Sequence, residues 1–141
     1  MNDDRTNNDQ FFPAIAVNGQ GVIQVIWYDR RHDPNNLLID VYSAKSTDDG
    51  VSFHANQRVT TVSSPPAVGY DPFLPSNSMG DYIDVKAMTG PHSRGSQFLQ
   101  AWGDFRRIVE TFGGIRHDQD VRFSIDSGAS ASAPGGGPGK D

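Results

Sequence analysis

The sequence predicts an all-β protein, built as two consecutive four-stranded antiparallel sheets of which the second is incomplete. Three observations carry this. Sixteen of the seventeen acidic residues are Asp, with Glu110 the only Glu. Asp competes with helical hydrogen bonding and favours turns, whereas Glu is a good helix former. Fifteen Gly and nine Pro supply further turn positions, and short β-favouring runs alternate with turn signals along the chain.

Residues 1–10 are polar and are expected to be loose. Phe11 to Val17 reads as a strand, with Pro13 tolerable near its start or on an edge. Asn18-Gly19-Gln20-Gly21 is a turn and residues 22–28 a second strand, so the two form a hairpin. The near-continuous apolar character of residues 22–28 predicts cover on both faces. Asp29 to Asn36 is a polar loop, Leu37 to Ala44 a third strand, and Ser46 to Phe53 a tight turn. A short fourth strand near Arg58 to Val62 completes a first unit at 11–62.

Residues 63–78, rich in Ser, Pro, Gly and Asn, read as a connector, after which the pattern restarts in a second unit at 79–127. Asp81 to Met88 is a strand, Gly90 to Gly95 a turn and Gln97 to Trp102 another strand. Gly103 to Asp118 reads as a longer loop, in which Arg106 to Gly113 is expected to wind into one helical turn. Asp120 to Ser124 is the next strand. Residues 128–141 are mostly Ala, Ser, Gly and Pro, too poor in apolar side chains to order themselves.

The two units repeat one another. Trp27-Tyr28-Asp29-Arg30-Arg31 returns 75 residues on as Trp102-Gly103-Asp104-Phe105-Arg106-Arg107. Asp40-Val41 returns as Asp120-Val121, 80 residues on. The octet Ser46-Thr47-Asp48-Asp49-Gly50-Val51-Ser52-Phe53 returns 78 residues on, from Ser124 to Ala131, with Asp126, Gly128 and Ser130 kept and the final aromatic lost.

The first octet has a physical logic. Asp48 can accept backbone N–H groups within the turn, Gly50 can take a positive φ, Ser52 can bond back across the corner and Phe53 can turn inward. It resembles the Asp box, S-x-D-x-G-x-[ST]-[FW], of sialidase-like (BNR-repeat) β-propellers, over about residues 10–126. The resemblance implies that each sheet is a propeller blade and that the octet is a structural corner away from the active site. It also implies a secreted or periplasmic protein and a parent that is an exo-sialidase-type glycoside hydrolase. A non-catalytic propeller binding glycans or proteins is the alternative, since one fold hosts many functions. Two blades cannot close a ring, so the remaining blades of a parent are the expected partners, a glycan is a further one, and this chain alone is expected to be inactive.

Such hydrolases use an Arg triad, a Tyr–Glu pair and an Asp. The F/Y-R-I-P motif of the first triad Arg is absent, so the resemblance assigns no catalytic residue. Arg30, Arg31, Arg106 and Arg107 follow equivalent strand ends and are the candidates for gripping an anionic sugar. The alternative is that they pair with Asp29, Asp33 or Asp104 and order loops. Glu110 is a candidate rim acid or a solvated side chain. Tyr28, Tyr42, Tyr70 and Tyr82 fit packing, as do Trp27 and Trp102.

The net charge of −5, without any Lys/Arg run, argues against nucleic acid and anionic membrane surfaces. The absence of cysteine excludes disulfide scaffolds and thiolate chemistry. His32, His54, His92 and His117 lack metal-ligand spacing. Asp33-Pro34-Asn35-Asn36 and His117-Asp118-Gln119-Asp120 offer oxygen ligands for calcium without the rest of a calcium loop. No cofactor is expected.

Overall fold

The structure, a computed structural model, describes residues 1–66, 81–90 and 97–126. The described chain is all β, in two antiparallel sheets. The first contains β1 (Gln10–Val17), β2 (Ile23–Asp29), β3 (Asp40–Ser46) and β4 (Gln57–Arg58), ordered as in the sequence. The second contains β5 (Ile83–Ala87), β6 (Phe98–Thr111) and β7 (Gly114–Asp126), also in sequence order. His92, Arg94, Tyr70, Gly128, Ser130 and the expected tail at 128–141 lie outside the described residues.

The hairpin of β1 and β2 turns on Asn18, whose side-chain oxygen accepts the N–H groups of Gln20 (3.0 Å) and Val22 (2.9 Å). Register slips between Phe11 and Ala14, where Pro13 has no N–H to give the ladder. Both faces of β2 are covered, as its apolar run predicts. Ile26 and Tyr28 face the second sheet, in a core with Val41, Val85, Phe98, Trp102 and Phe105. Val25 and Trp27 face the other way and pack with Tyr42, Ala44 and Phe53.

The longest departure from expectation is at 103–118. Neither a loop nor a helical turn forms there. β6 runs on to Thr111 and returns from Gly114 as one long hairpin. Ile108, Val109 and Thr111 are β-branched and suit a ladder, and Gly114, at φ 110°, takes a turn conformation open to glycine. One bulge interrupts this ladder: Asp104 pairs with Asp120 but Arg107 with Asp118, so Phe105 and Arg106 together oppose Gln119. Phe105 turns into the core, and its N–H donates to Ser64 Oγ (2.8 Å).

The pairing confirms the repeat at its centre and corrects it at its end. Asp29 pairs with Asp40 and Tyr28 with Val41; Asp104 pairs with Asp120 and Gly103 with Val121. From there both ladders run without a break, to Ile23 opposite Ser46 and to Phe98 opposite Asp126. Asp126 therefore stands where Ser46 stands. Matching Ser124 and Asp126 to Ser46 and Asp48 is two residues out of step, because a continuous ladder leaves no room for the deletion that match requires.

Residues 1–9, expected to be loose, lie against the first sheet. Asn8 Nδ2 donates to the carbonyls of Arg30 (2.8 Å) and Asp33 (2.7 Å). The N–H of Asp3 donates to Asn56 Oδ1 (3.0 Å), and the N–H of Asn56 to Asp3 Oδ2 (2.9 Å).

Candidate functional site

Alternation along β2 puts Trp27 and Asp29 on one face and Tyr28 on the other. The fully buried Asp29 carboxylate accepts the N–H of Arg31 (2.8 Å), its Nε (3.0 Å) and Nη2 (2.7 Å), and the indole N–H of Trp27 (2.8 Å). Arg31 lies over the Tyr42 ring, 4.1 Å from its centre, and Trp27 stacks on the far side of the same cluster at 6.4 Å. The remaining Arg31 donors reach Asp3 (2.8 Å), Asn2 (2.8 Å) and Asn56 (3.1 Å). The Tyr42 hydroxyl shares a hydrogen bond with His32 Nε2. Burial pushes the Tyr42 phenol above its ordinary pKa. The N–H of Asn56, helped by Arg31, holds Asp3 below the usual carboxylate range.

The second sheet repeats the arrangement. Asp104, also fully buried, accepts the N–H of Arg106 (2.9 Å) and its Nε (2.8 Å), and Arg106 Nη2 lies 2.6 Å from Asp104 Oδ2. Arg122 occupies the position of Tyr42, with Nε 3.8 Å from Asp104 and Nη2 3.9 Å from Asp120. Each sheet thus carries a clip of carboxylate and guanidinium two residues apart, at the end of β2 and at the bulge inside β6. A charge-assisted fork of this kind fixes the local course of the chain.

The four candidate arginines fall out as follows. Arg31 and Arg106 are the equivalent pair, and both are engaged by their own carboxylates. Arg30 pairs with Asp9 (3.1 Å) and lies over Phe11, 5.0 Å from the ring centre. Arg107 is exposed on the hairpin opposite Asp118. Glu110 is exposed on the same hairpin. The structure does not bring the four guanidinium groups together around one point.

The octet Ser46–Phe53 lies at the other end of the first sheet. Ser46 Oγ donates to Asp48 Oδ1 (2.7 Å) and accepts the N–H of Gly50 (2.9 Å). Asp48 accepts the N–H of Ser52 (2.9 Å) and its hydroxyl (2.5 Å). These bonds, with those from Ser52 largest, lower the Asp48 pKa to about 2. Asp49 and Gly50 take positive φ of 57° and 86°, the pair of left-handed residues such a corner needs. Phe53 packs inward against the Trp27 cluster.

Asp33, a candidate calcium ligand, accepts the N–H groups of Asn35, Leu37 and Leu38 at 3.0, 2.9 and 2.8 Å. Those bonds, led by Leu38, lower its pKa. His117 Nδ1 bonds the carbonyl of Phe105 (2.9 Å), and Asp118 and Asp120 are ladder residues of β7. Among the described residues, no three His, Asp or Glu side chains converge on a common point.

Several residues around the first clip are invisible to motif reading. Asn2, Asp3 and Asn56 close over Arg31. Asp40, buried, is held by Arg58 (2.8 Å), Thr60 (2.7 Å) and Ser63 (3.0 Å). Only the recurrence of Asp40 as Asp120 pointed there. On the outer face of the second sheet an open cleft of about 460 Å³ is lined by Asp81, Tyr82, Asp84, Ala101, Gly103 and Val121.

No protein-family model matches the chain, and neither a curated protein nor a solved structure does.

Proposed function

We infer that the chain supplies two consecutive blades of a sialidase-like Asp-box propeller, acting as scaffold and rim in a parent glycoside hydrolase of the exo-sialidase type. One observation carries the reading. The face of the first sheet that bears Ile26, Tyr28 and Val41 is covered by the second sheet. By the shared register, its equivalents are Ala101, Gly103 and Val121. That outer face of the second sheet is open, with Val121, Phe123 and Ile125 at 75, 71 and 47 % exposure. Two like modules joined face to back, with the next equivalent face uncovered, make a heterologous repeat that takes further modules.

A second reading, a non-catalytic propeller that binds glycans or proteins, draws support from the arginines. Arg31 and Arg106 are engaged by Asp29 and Asp104, so neither is an uncommitted guanidinium of the kind a catalytic arginine triad uses. The deciding experiment is release of a fluorophore from a sialoside by the longer protein in which this module sits. Turnover that survives in this module's Arg31→Lys and Arg106→Lys variants supports the scaffold role within a hydrolase. An intact propeller without turnover removes the hydrolase reading and leaves the binder.

A further inference from the structure

The two clips differ in one respect. In the first, every edge of the Arg31 guanidinium is used: Asp29 holds one side, while Asp3, Asn2 and Asn56 hold the other. The Trp27 indole N–H is also bonded, to Asp29. In the second, Asp104 holds Arg106, but among the described residues no second carboxylate is bonded to it. Across the ladder Arg122 stands where the first sheet has Tyr42, which adds positive charge.

Two donors are left beside Asp104 and Arg106. The Trp102 indole N–H is buried and has no hydrogen-bond partner among the described residues, and the same is true of Arg122 Nε. Arg106 Nη2 is held by Asp104, 2.6 Å away. Buried donors are normally paired, so two beside one carboxylate mark a place built for a further acceptor. The side chains of Arg106 and Arg122 keep 17 and 41 % exposure, which leaves a way in.

We propose that Trp102, Arg106 and Arg122 form a carboxylate-binding site at the rim, in which a second carboxylate takes the place that Asp3 takes beside Arg31. The first clip shows that one guanidinium in this setting holds two carboxylates, Asp29 at 2.7 Å and Asp3 at 2.8 Å. The occupant is a carboxylate either on an acidic side chain of another segment, as Asp3 is, or on a small acid such as a uronic acid. The proposal does not depend on the hydrolase reading.

The chain has two tryptophans, so a proton–nitrogen spectrum of the labelled full chain shows two indole signals, assigned with the Trp102→Phe variant. Glucuronate, acetate and a peptide copying Met1–Asp9 are titrated separately, with glucose and sodium chloride as controls at matched ionic strength. The Trp102 signal moves and saturates with the carboxylates, the Trp27 signal stays in place, and glucose and chloride move neither. Arg122→Gln weakens the midpoint about tenfold, the worth of one charge-assisted bond. Saturation by the peptide at lower concentration than by glucuronate identifies a protein side chain as the natural source, and the reverse order a free acid. A Trp102 signal that stays still, moves equally with chloride, or moves in step with Trp27 overturns the proposal.

Discussion

Tyr28 hydrogen-bonds to its own counterpart. Its hydroxyl accepts the N–H of Gly103 at 3.0 Å, 75 residues further along and at the matching position of the second sheet. The contact joins a long side chain of the first copy to the backbone of the second, so it binds the sheets in a fixed order. Burial, reinforced by the nearby Asp104 charge and opposed by the Gly103 bond, pushes the Tyr28 phenol up to about 12.

Tyr28→Phe should destabilise the chain by about 1–3 kcal/mol, because the Gly103 N–H is then left without its acceptor. Urea unfolding followed by tryptophan fluorescence measures this. The wild type should also weaken in alkali. The phenol pKa is raised on folding, from 10.0 to about 12, so its stabilisation is complete below pH 10 and is lost as pH climbs through the folded value. The loss is of order 2 kcal/mol and should be absent from the Phe variant.

The corner at Ser46–Phe53 responds to the opposite end of the pH scale. The Asp48 pKa falls from 3.8 to about 2 on folding, so its contribution is present above pH 3.8 and disappears as pH drops through the folded value. Asp48→Asn should lose stability at neutral pH and show a flatter acid limb. Ser46→Ala, at a fully buried hydroxyl that serves both Asp48 and Gly50, should cost about 1–3 kcal/mol. An unchanged urea midpoint in both would show the corner to be dispensable.

Arg31→Leu leaves the buried Asp29 without its counter-charge, and removing one partner of such a pair costs about 3–5 kcal/mol. Arg107→Ala, on the exposed hairpin, should stay within about 0.5 kcal/mol of wild type. Equal effects from the two variants would contradict the clip geometry.

The open face of the second sheet should make the chain self-associate, since exposed apolar patches and uncovered edges seek partners. Phe123→Lys, which adds a charge at the centre of the patch without touching the core, should shift sedimentation toward monomer and leave the urea midpoint unchanged. A monodisperse wild-type monomer at high concentration would count against this.

Strand identity was legible where alternation or an unbroken apolar run set it, as in residues 22–28 and 97–102. Paired Trp and Asp residues located both sheets. The hairpin at 103–118 was not legible, because Gly103, Gly113 and the charged Arg106-Arg107 read as punctuation although the ladder tolerates them. A bulge absorbs Phe105 and Arg106, and the tip uses the glycines. The octet at Ser124 misled through composition: Ser, Asp and Gly recur there, but side-chain spacing in β7 is fixed by pairing with β6. The self-pairing of Arg31 and Arg106 was foreseen as an alternative, whereas Asp3 and Asn56 close the first clip from sequence distances that no local pattern records.

The bulge at Phe105 and Arg106 has an engineering consequence. It separates the rooted part of β6 and β7 from the stalk above, so the stalk is free to vary in length while the clip beneath keeps its register. Phe112 and Gly113, at the fully exposed tip, offer a junction where a foreign peptide loop is displayed on a stiff two-stranded mount, far from the Ser46 corner that holds the other end of the fold together.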